Sequence, residues 1–160
     1  MIGWDEVLDG NISNNIIIMS WRGTKGGIAG ARKGNDVLMT PTSYCYFDFY
    51  QSEDHSTEPR AIGGYLPVKT VYSFEPMPQE LTAEQQKHIL GPQENLWTEF
   101  IATMPHVEYM VLPRIDAMCE VQWTNPERKN YDDFKARVPH MMKIYDKKGW
   151  KYAKHILTEK

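Results

Sequence analysis

The chain predicts an α/β fold with parallel strands, on three observations. Ile16-Ile17-Ile18-Met19-Ser20-Trp21 is a continuous apolar run, as a strand buried on both faces requires. It is followed by a short helical segment and a second apolar run, Val37-Leu38-Met39-Thr40, a strand, helix, strand unit of the size a parallel crossover needs. From Val107 onward the apolar residues fall at helical rather than alternating spacings. With 160 residues the chain is long enough to bury one sizeable core.

Taken in order, Met1 to Leu8 read as the end of a strand running into a loop, with Ile2 and Trp4 followed by Asp5-Glu6. Asn11-Ile12-Ser13-Asn14-Asn15 is turn chemistry before the apolar run. Arg22-Gly23-Thr24-Lys25-Gly26-Gly27 lacks both the P-loop and the dinucleotide spacing, so it reads as a tight turn from strand to helix. The helix covers Ile28 to Lys33, and Gly34 and Asn35 stop it.

Thr40 to Gln51 reads as a strand with Tyr44, Tyr46 and Asp48 on one face and Cys45, Phe47 and Phe49 on the other. Two phenols and a carboxylate suit the mouth of a site, or else the wet face of an edge strand. Residues 51 to 80, rich in Gly, Pro and polar types, read as a long surface excursion of functional use. Thr82 with Gln85 three residues on is a capping box that opens a short helix. Pro92 to Glu99 reads as another strand end. Val107, Met110, Val111, Ile115, Met118 and Val121 then mark helix interrupted at Pro113. A last amphipathic segment carries Phe134, Val138, Met141, Met142 and Tyr145 and is closed by Lys147-Lys148-Gly149. The methionines read as core filling, and so do Trp123 and Trp150. There is no internal repeat.

Composition narrows the function classes. A net charge of -3 gives no reason to expect nucleic acid or an anionic membrane as partner, and no run approaches the ~20 apolar residues of a membrane span. Cys45 and Cys119 make no disulfide framework and read as free, buried thiols. The histidines are scattered without metal-ligand spacing, so neither metal nor cofactor is expected. Met1 to Glu6 has no basic region followed by an apolar run, so it reads as no signal peptide, and the compartment stays open between cytoplasm and a chain that has lost a leader. Five Trp, nine Tyr and five Phe gather around Gly- and Pro-marked stretches, a composition that suits sugars, whose C-H faces stack on rings while their hydroxyls seek carboxylates and amides.

Four strand ends carry aromatic and acidic residues at their C-terminal sides: Trp4, Trp21, Tyr46 with Asp48, and Trp97 with Glu99. Sites of (β/α)8 barrels are built in that position, and four strands amount to half a barrel. The motifs Gly-Trp-Asp-Glu (3 to 6), Ser-Trp-Arg-Gly (20 to 23), Tyr-Phe-Asp (46 to 48) and Asn-Leu-Trp-Thr-Glu (95 to 99) occur in this order. So do Val71-Tyr72-Ser73-Phe74-Glu75-Pro76 and a helix from Tyr109 to Trp123 with Leu-Pro-Arg-Ile and Cys-Glu-Val-Gln-Trp. Together these resemble the C-terminal half of the catalytic barrel of β-N-acetylhexosaminidases, glycoside hydrolase family twenty. The resemblance fades after about Lys147.

The resemblance implies strands five to eight of a TIM barrel with their helices, residues 1–147 being barrel-like and 148–160 a C-terminal tail. It implies substrate-assisted, retaining hydrolysis, in which the 2-acetamido oxygen of the sugar attacks the anomeric carbon. Tyr46 would donate its hydroxyl to that oxygen, Trp4, Trp21 and Trp97 would wall the sugar, Glu99 would accept from the O4 side and Asp48 would sit near O6. The family's acid motif, His-x-Gly-Gly-Asp-Glu, is not in this sequence, and Asp5-Glu6 belongs to a different motif and reads as structural. The expectation is therefore a fragment without catalysis of its own, whose parent acts on terminal N-acetylglucosamine or N-acetylgalactosamine. Bacterial enzymes of the resembled family are commonly exported, to the periplasm or the medium, but the sequence does not give the compartment of this chain. Two other readings stay open: a non-catalytic amino-sugar-binding module, or an inert half-barrel that self-associates as a homodimer through its open edges.

Overall fold

A computed structural model describes residues 1–159. Its sheet has four parallel strands in the order β1 (Ile2–Trp4), β2 (Ile17–Ser20), β3 (Val37–Met39), β4 (Ile89–Pro92). The registers pair Ile2 with Ile17, Ile18 with Val37 and Val37 with Ile89. The parallel α/β expectation holds. Ile18, Val37 and Met39 are fully buried, and helix α1 (Lys25–Arg32) lies on β2 and β3. Its glycines set that approach: a Cβ on Gly27 would stand 2.6 Å from Met39 Cε, and one on Gly30 2.6 Å from Ile18 Cδ1. Gly34, at φ 82°, ends the helix in a conformation that favours glycine. The buried Asn35 then ties the preceding turn by donating to the carbonyls of Ser13 and Ile16, both at 2.9 Å.

The chain divides into two compact units, one of Met1–Cys45 with Glu75–Glu94, the other of Tyr46–Phe74 with the residues from Asn95 onward. The sheet belongs wholly to the first. That unit also contains the short helices α2 (Thr42–Cys45) and α4 (Ala83–Gln86), the latter with both halves of the Thr82/Gln85 capping box in place. The second contains α3 (Val68–Tyr72), α5 (Met104–Val111), α6 (Arg114–Trp123) and α7 (Tyr131–Lys148).

The reading of Thr40 to Gln51 as one alternating strand is wrong. β3 ends at Met39, and α2 follows because Pro41 has no N–H for a ladder and its fixed φ starts a helical turn. Its carbonyl accepts from the backbone N–H of both Tyr44 and Cys45 at 2.9 Å. Extended pairing resumes only as isolated bridges, Tyr46 with Asn95 and Tyr50 with Tyr65. Consecutive residues Cys45, Tyr46, Phe47 and Asp48 are all buried, so burial does not alternate along the stretch.

Residues 51 to 80 are likewise more than a surface excursion. Leu66, Val68, Val71, Tyr72 and Phe74 are buried, and α3 packs on α6. The Gly and Pro residues around them hid a helix too short to show its period. Tyr72 fastens it, donating to Glu120 Oε1 at 2.9 Å and accepting from the Asn130 N–H at 2.8 Å.

The second unit's core contains Met110, Met118 and Met142 beside Phe134, Val138 and Tyr145, whereas Met104 and Met141 are exposed, against the core-filling expectation. α5 and α6 are separated at Leu112-Pro113, and α7 runs from an Asn130 cap to Gly149 at φ 73°. Glu58 draws distant segments together: its carboxylate accepts from Tyr109 Oη at 2.5 Å and the Gln51 N–H at 3.0 Å, and stands 2.5 Å from His155 Nε2. Ala153 and Ile156 are buried, and Lys160, the last residue of the expected tail, lies outside the described residues.

Two tryptophans and a cysteine depart from expectation. Trp123, the last residue of α6, is 88% exposed, and Trp150 is exposed as well, though its ring packs against Tyr145 at 6.2 Å. Cys45 is buried, whereas Cys119 is exposed. Helical spacing alone did not reveal which side of α6 faces outward. Among the described residues no helix is long and apolar enough to cross a membrane.

Candidate active site

In the first unit, the ends of β1 and β2 carry Trp4 and Trp21. Strand β1 runs directly into a 3-10 turn, Asp5–Asp9, so Asp5 and Glu6 stand beside the segment that leaves β2. Asp5 is buried and its Oδ1 pairs with Arg22 Nε at 2.6 Å. Trp21 donates its indole N–H to both oxygens of Glu6 at 3.1 Å, and that bond holds the Glu6 carboxyl below the usual carboxylate range. A carboxylate that is hard to protonate is a poor general acid, so Glu6 serves to fix Trp21, while Asp5 is paired with Arg22. Ser20 completes this turn, donating to the Gly23 carbonyl and accepting from the Gly27 N–H, each at 2.7 Å. That is the tight strand-to-helix turn expected of residues 22 to 27.

In the second unit, the structure brings Tyr46, Asp48, Trp97 and Glu99 together. The backbone bridge between Tyr46 and Asn95, with the Phe47 N–H donating to the Asn95 carbonyl at 2.8 Å, sets the two segments side by side. The Tyr46 ring lies 6.0 Å from that of Phe49 and 6.5 Å from that of Trp97, both tilted. Trp97 is 42% exposed and Tyr46 only 9%, so the corner offers one open aromatic face above a nearly enclosed phenol.

Asp48 is 4% exposed, and its Oδ1 has no hydrogen-bond donor among the described residues. Burial raises its carboxyl above the ordinary range, and the nearby Glu99 charge adds to that, while backbone N–H groups and Arg114 act the other way. Burial costs an acceptor free energy unless something donates to it. Glu99 itself is exposed, at the rim.

Arg114, which sequence reasoning passed over as part of a motif, is fully buried beneath this corner. It donates to the carbonyls of Phe47 at 2.5 Å, Phe49 at 3.0 Å and Leu66 at 3.2 Å, and twice to that of Met110. A cation in the first turn of a helix, flanked by Leu112, Pro113 and Ile115, was the available signal, because that end of a helix favours anions. Among the described residues no group of three His, Cys, Asp or Glu side chains is placed to hold a metal ion.

The chain is similar in sequence and fold to known proteins. A 42% identical relative over 153 residues is a beta-hexosaminidase of Porphyromonas gingivalis, the match covering 95% of this chain and 20% of that protein. A beta-N-acetylhexosaminidase of Cellulomonas fimi is 27% identical over 159 residues, covering 95% of this chain and 31% of its own. The chain thus spans a fifth to under a third of the length of these two curated relatives. Among solved structures, the exo beta-N-acetylglucosaminidase of Vibrio harveyi in complex with N-acetylglucosamine superposes with a TM-score of 0.85 at 32% identity, over 96% of this chain and 24% of that one. A beta-N-acetylhexosaminidase of Streptomyces coelicolor A3(2), 20% identical, gives 0.82 over 96% of this chain and 32% of its own, and shows the same fold. The model for the glycosyl hydrolase family 20 catalytic domain matches residues 1–126, and the chain belongs to that family.

Proposed function

We propose that this chain is the part of a β-N-acetylhexosaminidase that holds the amino sugar, corresponding to strands five to eight of the barrel, and that the proton donor lies outside these 160 residues. The observation that carries the reading is Asp48 Oδ1, a buried acceptor without a donor among the described residues, on the turn that presents Tyr46 against Trp97. A sugar hydroxyl is the donor such an oxygen lacks, and an aromatic face beside it suits the ring's C-H side.

Residue by residue, Tyr46 Oη donates to the acetamido oxygen, which acts as the nucleophile, and so orients it for attack and carries part of its charge. Asp48 accepts from O6 and Glu99 from the O4 side. Trp97 presents apolar ring surface to the sugar. The whole enzyme releases terminal N-acetylglucosamine or N-acetylgalactosamine with retention through an oxazolinium intermediate. Neither Asp5 nor Glu6 replaces the missing acid, since Arg22 and Trp21 engage them. The chain by itself therefore binds without turning over.

Two measurements test this. A chromogenic N-acetylglucosaminide should give no hydrolysis above background, and turnover that Tyr46→Phe abolishes would contradict the missing-acid reading. Titration with N-acetylglucosamine or its thiazoline analogue should show binding, weakened about tenfold by Tyr46→Phe as a hydrogen bond is lost. No binding at millimolar ligand removes the sugar-holding role.

A further inference from the structure

We propose that Arg114 is a positioning residue that sets the Tyr46 to Phe49 turn, and through it the Tyr46 phenol and the Asp48 carboxylate; the sugar-facing part of this rests on the function proposed above. The guanidinium is fully buried and spends its donors on backbone carbonyls rather than on a carboxylate. Two of those carbonyls, Phe47 and Phe49, flank Asp48 on either side. The group also lies over the Phe47 ring, 4.9 Å from its centroid.

This placement is expensive. A buried cation without a hydrogen-bonded carboxylate has lost its hydration, and burial lowers the guanidinium from its ordinary value to about 9, with Glu58 and Asp48 opposing the shift by their charge. It also stands at the end of α6 where the helix dipole repels it. A purely structural filler at this position would be apolar and cheaper. What the arginine supplies is a rigid planar fork that reaches the carbonyls of residues 47, 49, 66 and 110 at once. The turn between Tyr46 and Phe49 has weak support of its own, a bond from the Phe49 N–H to the Tyr46 carbonyl at 3.3 Å. The fork holds the turn at both carbonyls, so the side chains between them have one orientation. Lysine keeps the charge but has neither the planar geometry nor the reach to all four acceptors.

The test uses the full chain with Arg114→Lys, Arg114→Met and, as a control of overall stability, Val121→Ala, a core truncation in the same helix. Backbone hydrogen exchange is followed together with the affinity for the thiazoline analogue. Arg114→Lys and Arg114→Met should both lose protection at the Phe47 and Phe49 amides by about tenfold or more and weaken binding by about tenfold, the scale of hydrogen bonds to a charged group. The amides of Val138 and Met142 should stay as protected as in the parent. Val121→Ala should lower protection broadly while its affinity stays unchanged. Exchange that rises uniformly in the Arg114 variants, or full recovery of both readouts by lysine, would overturn the positioning role. Should the unsubstituted chain fail to bind the sugar, the function proposed above falls, while the exchange at Phe47 and Phe49 still decides what Arg114 does.

Discussion

Asp116 shows how one buried group leaves a mark on stability. Its carboxyl accepts from Tyr145 Oη, and burial raises it from 3.8 to about 6. Between those values the folded chain holds more protons than the unfolded one, so stability falls as pH rises from about 4 to about 6 and is level above. Asp116→Asn should flatten that fall, narrowing the difference between pH 4 and pH 7 by about 1 to 2 kcal/mol in urea unfolding. A parallel pair of curves for parent and variant would show that the carboxyl is not perturbed. At this same scale the tyrosine and tryptophan of the candidate site were singled out in the sequence by their motifs, Tyr-Phe-Asp and Asn-Leu-Trp-Thr-Glu, although neither residue stands in a strand. The burial of Asp48 was not, since an aspartate reads as solvated unless the turn that encloses it is known.

Among the elements, the strand-to-helix turn of residues 22 to 27 depends on the absence of side chains. A Cβ on Gly26 would stand 2.7 Å from both Cβ and Oδ2 of Asp5, which Arg22 holds in place. Gly26→Ala should therefore cost about 1 to 3 kcal/mol as overpacking, read from the urea midpoint at unchanged slope. It should also loosen Arg22. The glycine run identified this turn from sequence, and Thr82 with Gln85 identified the start of α4, because both devices are local. Thr40 to Gln51 failed for the opposite reason. Alternation over Tyr44, Tyr46 and Asp48 imitated a strand, but Pro41 diverted the backbone and the residues that followed were buried by groups far away in sequence.

Considered whole, the sheet ends in β1 and β4, and no further strand among the described residues pairs with their outer edges. Ile2 is 55% exposed and Leu90 53%, so the edge strands also present apolar side chains. We propose that these edges recruit strands from other copies, with a homodimer as the simplest closed form. Sedimentation equilibrium of the chain should show mass rising with concentration, with Ile2→Lys shifting the balance toward monomer. A compact monomer at high concentration would contradict this reading.

The sequence by itself determined the parallel α/β class, the family and the order of the aromatic and acidic motifs. Those depend on local period, turn chemistry and residue identity, which are written along the chain. Only the tertiary structure decided that Asp48 is enclosed, that Asp5 and Glu6 are engaged by Arg22 and Trp21, and that Arg114 lies beneath the Tyr46 turn. Each of these is a desolvation or a hydrogen bond between residues that meet only on folding. In the case of Arg114 the partners are 65 and 67 positions away.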